Sequence, residues 1–285
     1  MERVLKKYFP IFLLPTLIIF SIFLVLPFLV GIYLSFCDFI TIEDSIYVGF
    51  KNYIDAVRIK SSFWYSLGIT SLYSLISILS VNLIALVLAL LLTKNLRFKN
   101  IYRSIFFLPN LIGGIVLGHI WSVIINGILQ YFNTDLTAEF SYGFFALIIV
   151  SNWQLIGYMM IIYIAGLENV SNDLIEAAKI DGASNFKTLT KVKLPLIASS
   201  ITICSFLTLS NTFKMFDQNL ALTAGAPYED GIYKTSFLAL DIYRSFYGSS
   251  NSSGLGQAKA VLFFVILMII SYIQLRITRK KELEL

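Results

Sequence analysis

Six stretches of this 285-residue chain contain no Asp, Glu, Lys or Arg: 8–37, 61–93, 104–134, 140–167, 194–213 and 260–275. About 20 apolar residues span a bilayer as a helix, and a backbone inside lipid must satisfy its own hydrogen bonds. Five runs reach that length. The sixth has 16 residues, but the uncharged residues 254–258 precede Lys259, whose side chain can snorkel to the interface. Helices are therefore expected near 10–36, 66–92, 102–126, 142–166, 196–216 and 256–276. The fold class is all-α, a polytopic membrane protein with six transmembrane helices. Composition agrees: 57% of residues are hydrophobic and 14% charged, against roughly 25% charged in soluble domains. Cys37 and Cys204 are too few for a disulfide-stapled secreted domain and read as apolar fillers.

Net charge is +5, and its distribution reads as a topology signal. Fifteen Lys and Arg fall before the first run, between the second and third, between the fourth and fifth, and after the sixth; five fall in the opposite connections, and Lys214 and Lys259 lie at helix ends. Cytoplasmic loops carry the excess, so both termini are placed inside and no nucleic acid is needed as a partner. Arg3, Lys6 and Lys7 before an apolar run imitate a signal peptide, but the run is 30 residues against about 7–15 for a signal core. It reads as an uncleaved first helix, with Pro10 and Pro15 in its first turns and a kink at Pro27.

Residues 168–195 differ from the short connectors because they read as a folded element. Asp173 with Glu176 fits a capping box. Ala177 and Ala178 favour helix and present almost no side chain. Gly182 fits a left-handed stop, Ser184 can cap a second short helix over 185–192, and Pro195 can open the fifth span. A small-residue face held below the membrane suits docking into a partner's groove; an amphipathic helix lying on the membrane is the other reading.

Glu176-Ala177-Ala178, three residues, Gly182, nine residues, then Val192-x-Leu194-Pro195 resembles the EAA loop of binding-protein-dependent ABC importer permeases, with Val for Ile. Asp181-Gly182-Ala183 resembles the family's D-G-A, and Ser171 stands where many sugar permeases carry Pro. Val48 to Tyr53, Tyr102 to Pro109, Leu222 to Pro227 and Gly254 to Ala258 are similar, in order and spacing, to motifs of the carbohydrate branch, on the side of the larger permease of maltose-type transporters. The resemblance implies the type I ABC importer permease fold. It divides the chain into residues 1–62 (first helix and external loop), 63–277 (permease domain with the cytoplasmic coupling loop 168–195) and 278–285 (cytoplasmic tail).

In this family Glu176, Ala177, Ala178, Asp181, Gly182 and Ala183 correspond to the helix that couples to the ATPase. The implied partners are a sister permease, two ATP-binding cassette subunits and an extracytoplasmic solute-binding protein, besides the lipid bilayer. The chain itself has no G-x-x-x-x-G-K-[ST] motif, so ATP and Mg belong to the partner ATPases and no cofactor or enzymatic activity is assigned here. Uncharged helix centres weigh against a proton-driven carrier. A permease for another solute, such as a polyol phosphate or peptide, and a stand-alone channel are the alternatives.

Polar residues inside a bilayer usually face the bundle or a water-filled path. Ser151, Leu155 and Tyr158 share a helix face, with Gln154 beside them, and Thr208, Asn211 and Thr212 share another. In maltose-type permeases substrate contacts lie on these two helices. By that resemblance Ser151, Gln154, Leu155, Tyr158, Thr208, Thr212 and Met215 are placed on the substrate pathway, with Asn211. Helix-to-helix hydrogen bonding is the competing role. Gly113, Gly114 and Gly118 read as close packing. Trp64, Tyr65, Trp121 and Tyr142 read as an interfacial belt. His119 reads as a proton-relay group or as a neutral imidazole bonded between helices. The outer loops 38–62 and 217–255 have room for short helices and are expected to meet the binding protein.

Overall fold

The computed structural model describes residues 13–58, 61–94, 96–248 and 253–283. The expected start of the first helix and Pro10 lie outside them. Helix α1 is Leu13–Leu34. A hairpin of β1 (Cys37–Asp38) and β2 (Ile46–Tyr47) and helix α2 (Lys51–Val57) follow. Then come α3 (Ser62–Leu92), α4 (Lys99–Phe107), α5 (Gly114–Leu129) and α6 (Phe140–Glu168). The loop carries α7 (Asn172–Ile180), α8 (Asn185–Thr188) and α9 (Leu194–Leu196) before α10 (Ala198–Phe213). Last come α11 (Asp217–Leu222), a hairpin of β3 (Tyr228–Glu229) and β4 (Ile232–Tyr233), α12 (Leu238–Tyr247) and α13 (Ser253–Leu283).

Among the described residues, five helices are long and apolar enough to cross a membrane, and a sixth span forms if the pair Asn185–Leu196 and Ala198–Phe213, bent by 71°, counts as one. Two expected helix bounds change. The third helix is not continuous over 102–126: Leu108–Leu111 tightens into a 3-10 turn and Gly113 is extended (φ −60°, ψ 139°). Pro109 lacks the N–H that a continuous helix needs there. The long helix of the fifth run starts at Ala198, because Pro195 lies in a short turn of its own and the chain bends at Ile197. In the first helix a π-turn at Ser21–Val25 directly precedes the turn that holds Pro27.

The chain divides into two compact units, residues 1–63 with 242–264, and 64–241 with 265–285. In the first, Asn52 is buried and its amide donates to the carbonyls of Ser35 (3.1 Å) and Cys37 (2.8 Å). A Cβ on Gly254 would strike that Cys37 carbonyl, so only glycine lets α13 start there. Lys259 does not snorkel. It is 4% exposed, and its ammonium donates to the hydroxyls of Ser62 (3.1 Å) and Ser245 (2.9 Å).

In the second unit α6 is the central post: 61% of its apolar window is buried, against 28% for α3 and 11% for the span containing α5. One apolar cluster gathers Ile69, Tyr73, Leu117, Phe144, Leu147 and Phe237, with the Tyr73 and Phe237 rings 4.5 Å apart. Another gathers Val81, Ala85, Met159, Met160, Tyr163 and Cys204. Gly157 of α6 lets α4 cross it, since a Cβ there would strike the Phe106 carbonyl and stand 2.9 Å from Phe107 Cα. Polar pairs join the same helices. Tyr163 donates to Asn82 Oδ1 (2.8 Å), Asn82 Nδ2 donates to Thr208 (3.4 Å), and Asn152 donates to Ser80 (2.7 Å).

Candidate functional site

The break after α4 opens the wall of a polar cavity. With Ile112 outside any helix, its carbonyl accepts from Gln154 Nε2 (3.0 Å) on α6, and Gln154 Oε1 accepts from Gln218 Nε2 (2.6 Å) on α11. Helix α11 lies close enough because α5 has no side chain at two positions. A Cβ on Gly114 would stand 2.7 Å from Asp217 Cβ, and one on Gly118 would stand 2.8 Å from Ala221 Cβ. Gly113 has open space instead; its place is the extended residue before α5.

The resulting cavity of about 390 Å³ is walled by the amides of Asn110, Gln154, Asn211 and Gln218, by Lys214 and Asp217, by Tyr158 and Phe216, and by Leu155 and Met215. Its chemistry is that of a site for a polar ligand with no large net charge. The amides donate and accept, the rings offer apolar faces, and one cation is matched by one anion.

Of the eight residues placed on the substrate pathway, Gln154, Leu155, Tyr158, Asn211 and Met215 line this cavity. Ser151, Thr208 and Thr212 do not, and each is fully buried. Ser151 lies one turn beyond the wall, donating to the Leu147 carbonyl and touching Met215 sulfur at 3.6 Å. Thr208 and Thr212 return their protons to their own helix and meet Asn82 and Ser74, at 3.4 and 2.6 Å. Helical spacing explains the split: from Thr208, a step of four turns about +40° and a step of three about −60°. Thr212 thus follows Thr208 into α3, while Asn211 faces the opening. Asn110, Phe216, Asp217 and Gln218 were not anticipated; the only local signal was Pro109 beside Asn110.

The loop 168–195 stands out from the bundle. Ser171, not Asp173, caps α7: its hydroxyl accepts from the Asp173 N–H at 3.2 Å. The expected capping box gives way because α7 begins two residues before Asp173 can occupy the cap. Gly182 has φ +76°, its N–H reaches the Lys179 carbonyl (3.0 Å), and the Ala183 N–H reaches that of Ala178 (2.9 Å). Two orphan carbonyls are satisfied by this left-handed stop. Ser184 caps α8 through the Lys187 N–H at 3.3 Å, although α8 ends at Thr188 and a π-turn at Leu189–Lys193 follows. Glu176, Ala177, Asp181 and Gly182 are exposed, and Ala178 and Ala183 half-buried. Ile180 is 86% and Phe186 73% exposed, an apolar surface without cover in the single chain.

His119 sits exposed on α5 and forms no hydrogen bond between helices among the described residues. Cys37 and Cys204 are free and buried. The loop before α6 holds Asp135, whose carboxylate accepts from the Thr137 hydroxyl (2.5 Å) and backbone N–H (2.7 Å). Those bonds, the hydroxyl's first, hold it below the ordinary carboxylate range.

Fold and site define a multi-pass helical membrane protein with a polar cavity among its spans and an ordered loop at their ends. Residues 81–282 match the binding-protein-dependent transport system inner membrane component family, and the chain belongs to that family. It is 42% identical, over 96% of its length and 95% of the relative's, to a probable starch degradation products transport system permease protein of Thermoanaerobacterium thermosulfurigenes. It is 27% identical to a multiple sugar-binding transport system permease protein of Streptococcus mutans (99% of each chain). It is 28% identical to a trehalose/maltose transport system permease protein of Thermococcus litoralis (94% of this chain, 92% of the other). The fold is similar to a chain of a bacterial ABC transporter involved in the import of alginate, with TM-score 0.80 and 20% identity over 98% of both chains. The expected importer-permease fold is thus the observed one.

Proposed function

We propose that the chain is the permease subunit of an ATP-driven importer, passing a sugar or short oligosaccharide through the cavity between α6 and α10. The observation that carries this reading is the cavity itself: four amides, two rings and a balanced Lys214 and Asp217 suit a polyhydroxylated, uncharged solute. The names of the starch-product, multiple-sugar and trehalose/maltose relatives support the same substrate class.

Delivery is by an extracytoplasmic binding protein meeting the outer loops, a partner also named for an alginate transporter of similar fold. Of two ATPase subunits, which hold ATP and Mg, one docks on the exposed surface around Glu176 to Ala183 and the other on a sister permease, which completes the path. The charge bias puts both termini and the loop in the cytoplasm of a bacterial cell, with the spans in its plasma membrane. Transport is by alternating access, with ATP binding biasing which side is open.

The test is purification of the chain from its native membrane in mild detergent, with mass spectrometry of what accompanies it. Recovery of an ATPase and a second multi-span protein is expected, the ATPase being lost when residues 176–182 are altered. Recovery of the chain alone, active in ATP-free vesicles, contradicts the proposal.

A further inference from the structure

A second cavity, of about 590 Å³, lies where the loop meets the ends of α3 and α6. Lys94, Lys179 and Lys193 line it from three different segments, the end of α3, α7 and the π-turn before α9. None of the three makes an ion pair among the described residues. The only carboxylate in the wall, Glu168, is already taken by Arg103 at 2.7 Å. Three like charges that repel one another thus line one space, whose one lining carboxylate is shared with Arg103.

The rest of the wall suits an anion with an apolar body. Asn172 and Asn185 also line the cavity, and neither side-chain amide is engaged by the described residues. Leu90, Leu167, Ile175 and Leu189 give an apolar side. Lysine binds phosphate as a point charge, and basic pockets between spans are places where lipid head groups lodge. The volume falls in the range of about 300–1,000 Å³ typical of ligand sites.

We propose that this cavity binds a phosphate-bearing anion, which locks the loop against the ends of α3 and α6 by neutralising Lys94, Lys179 and Lys193 together. The site is separate from the solute cavity: the two share no lining residue. The phosphate belongs to an anionic lipid head group or to a soluble phosphate.

The experiment titrates the full-length chain, in neutral detergent, with dihexanoyl phosphatidylglycerol, with inorganic phosphate and with dihexanoyl phosphatidylcholine, following the unfolding midpoint. A saturable rise with phosphatidylglycerol alone supports the site with a lipid source. A rise with inorganic phosphate as well supports it with a soluble one. K94Q/K179Q/K193Q should weaken binding about tenfold or more, while K94R/K179R/K193R should retain it. Retention by the Arg form separates lost charge from lost fold, and native mass spectrometry of retained phosphatidylglycerol on K193Q alone gives a second readout. A flat titration with every probe, or equal binding by wild type and Gln form, overturns the proposal. So does anion binding unchanged in the Gln form while the co-purifying ATPase is lost, which would assign the lysines to a carboxylate of that partner.

Discussion

Arg103 Nη2 stands 2.7 Å from Glu168 Oε1 and at the same time 3.2 Å from the carbonyl of Leu92. One guanidinium on α4 therefore ties the last residues of α3 and α6, at the point where the loop 168–195 begins. Glu168 is half exposed, so the ion pair contributes about 1 kcal/mol or less. Losing the whole side chain also frees the Leu92 carbonyl. Arg103→Ala should lower the unfolding midpoint more than Glu168→Gln. Exchange of the two residues should recover only part of the difference, because Glu cannot donate to Leu92. Equal losses for the two single variants would show that the carbonyl bond carries nothing.

Close approach at Gly157 outweighs any one interhelical hydrogen bond. Gly157→Ala drives a methyl into the Phe106 carbonyl, and backbone must move; the expected cost is about 1–3 kcal/mol or more. Tyr163→Phe removes the bond to Asn82 and should cost about 0.6 kcal/mol. Gly68→Ala meets open space and should stay within about 0.5 kcal/mol of wild type. Unfolding in detergent ranks the three, and a Gly157→Ala protein as stable as Gly68→Ala would refute the crossing of α4 over α6.

The two faces of α10 separate binding from stability. Asn211→Ala and Gln154→Leu remove polar groups from the polar cavity, the proposed solute site. They should reduce uptake several-fold, with Asn211→Ala leaving the unfolding midpoint within about 0.5 kcal/mol. Thr208→Val changes a fully buried residue that meets Asn82. It should lower stability and leave solute preference unchanged. A preference shifted by Thr208→Val would move the pathway onto the face packed against α3.

Asp135 gives a pH prediction. Its folded pKa lies below its unfolded value because Thr137 donates to the carboxylate. It therefore contributes stability above the ordinary carboxylate pKa, about 4, and that stability is lost as pH falls through the lower folded value. Thr137→Val should melt earlier than wild type by a constant margin above about pH 5, and the margin should close as pH falls below about 4. A margin independent of pH would show that Thr137 acts by packing.

Much of this architecture was legible in the residues. Runs without charge located the spans, and Gly182 and Ser184 marked where α7 stops and α8 starts. The break between α4 and α5 was not legible, because the run 104–134 stays uncharged through it and only Pro109 and the pair Gly113-Gly114 mark the interruption. Lys259 looked like an interfacial residue since its partners, Ser62 and Ser245, are distant in sequence. The polar cavity was half legible: facing residues on α6 and α10 follow from helical spacing, whereas Asn110, Asp217 and Gln218 join them only through the break and the glycine-lined approach of α11.

The exposed loop is proposed to couple ATP hydrolysis to passage through this chain. Gly182→Pro tests it most directly, because proline reaches neither φ +76° nor the bond to the Lys179 carbonyl. Its effect is read as uptake of labelled malto-oligosaccharide into vesicles that contain the complete transporter, its binding protein and ATP. The variant should insert, fold and take up no solute with ATP, and wild-type uptake should stop when ATP is withheld. Normal ATP-dependent uptake by Gly182→Pro would contradict it.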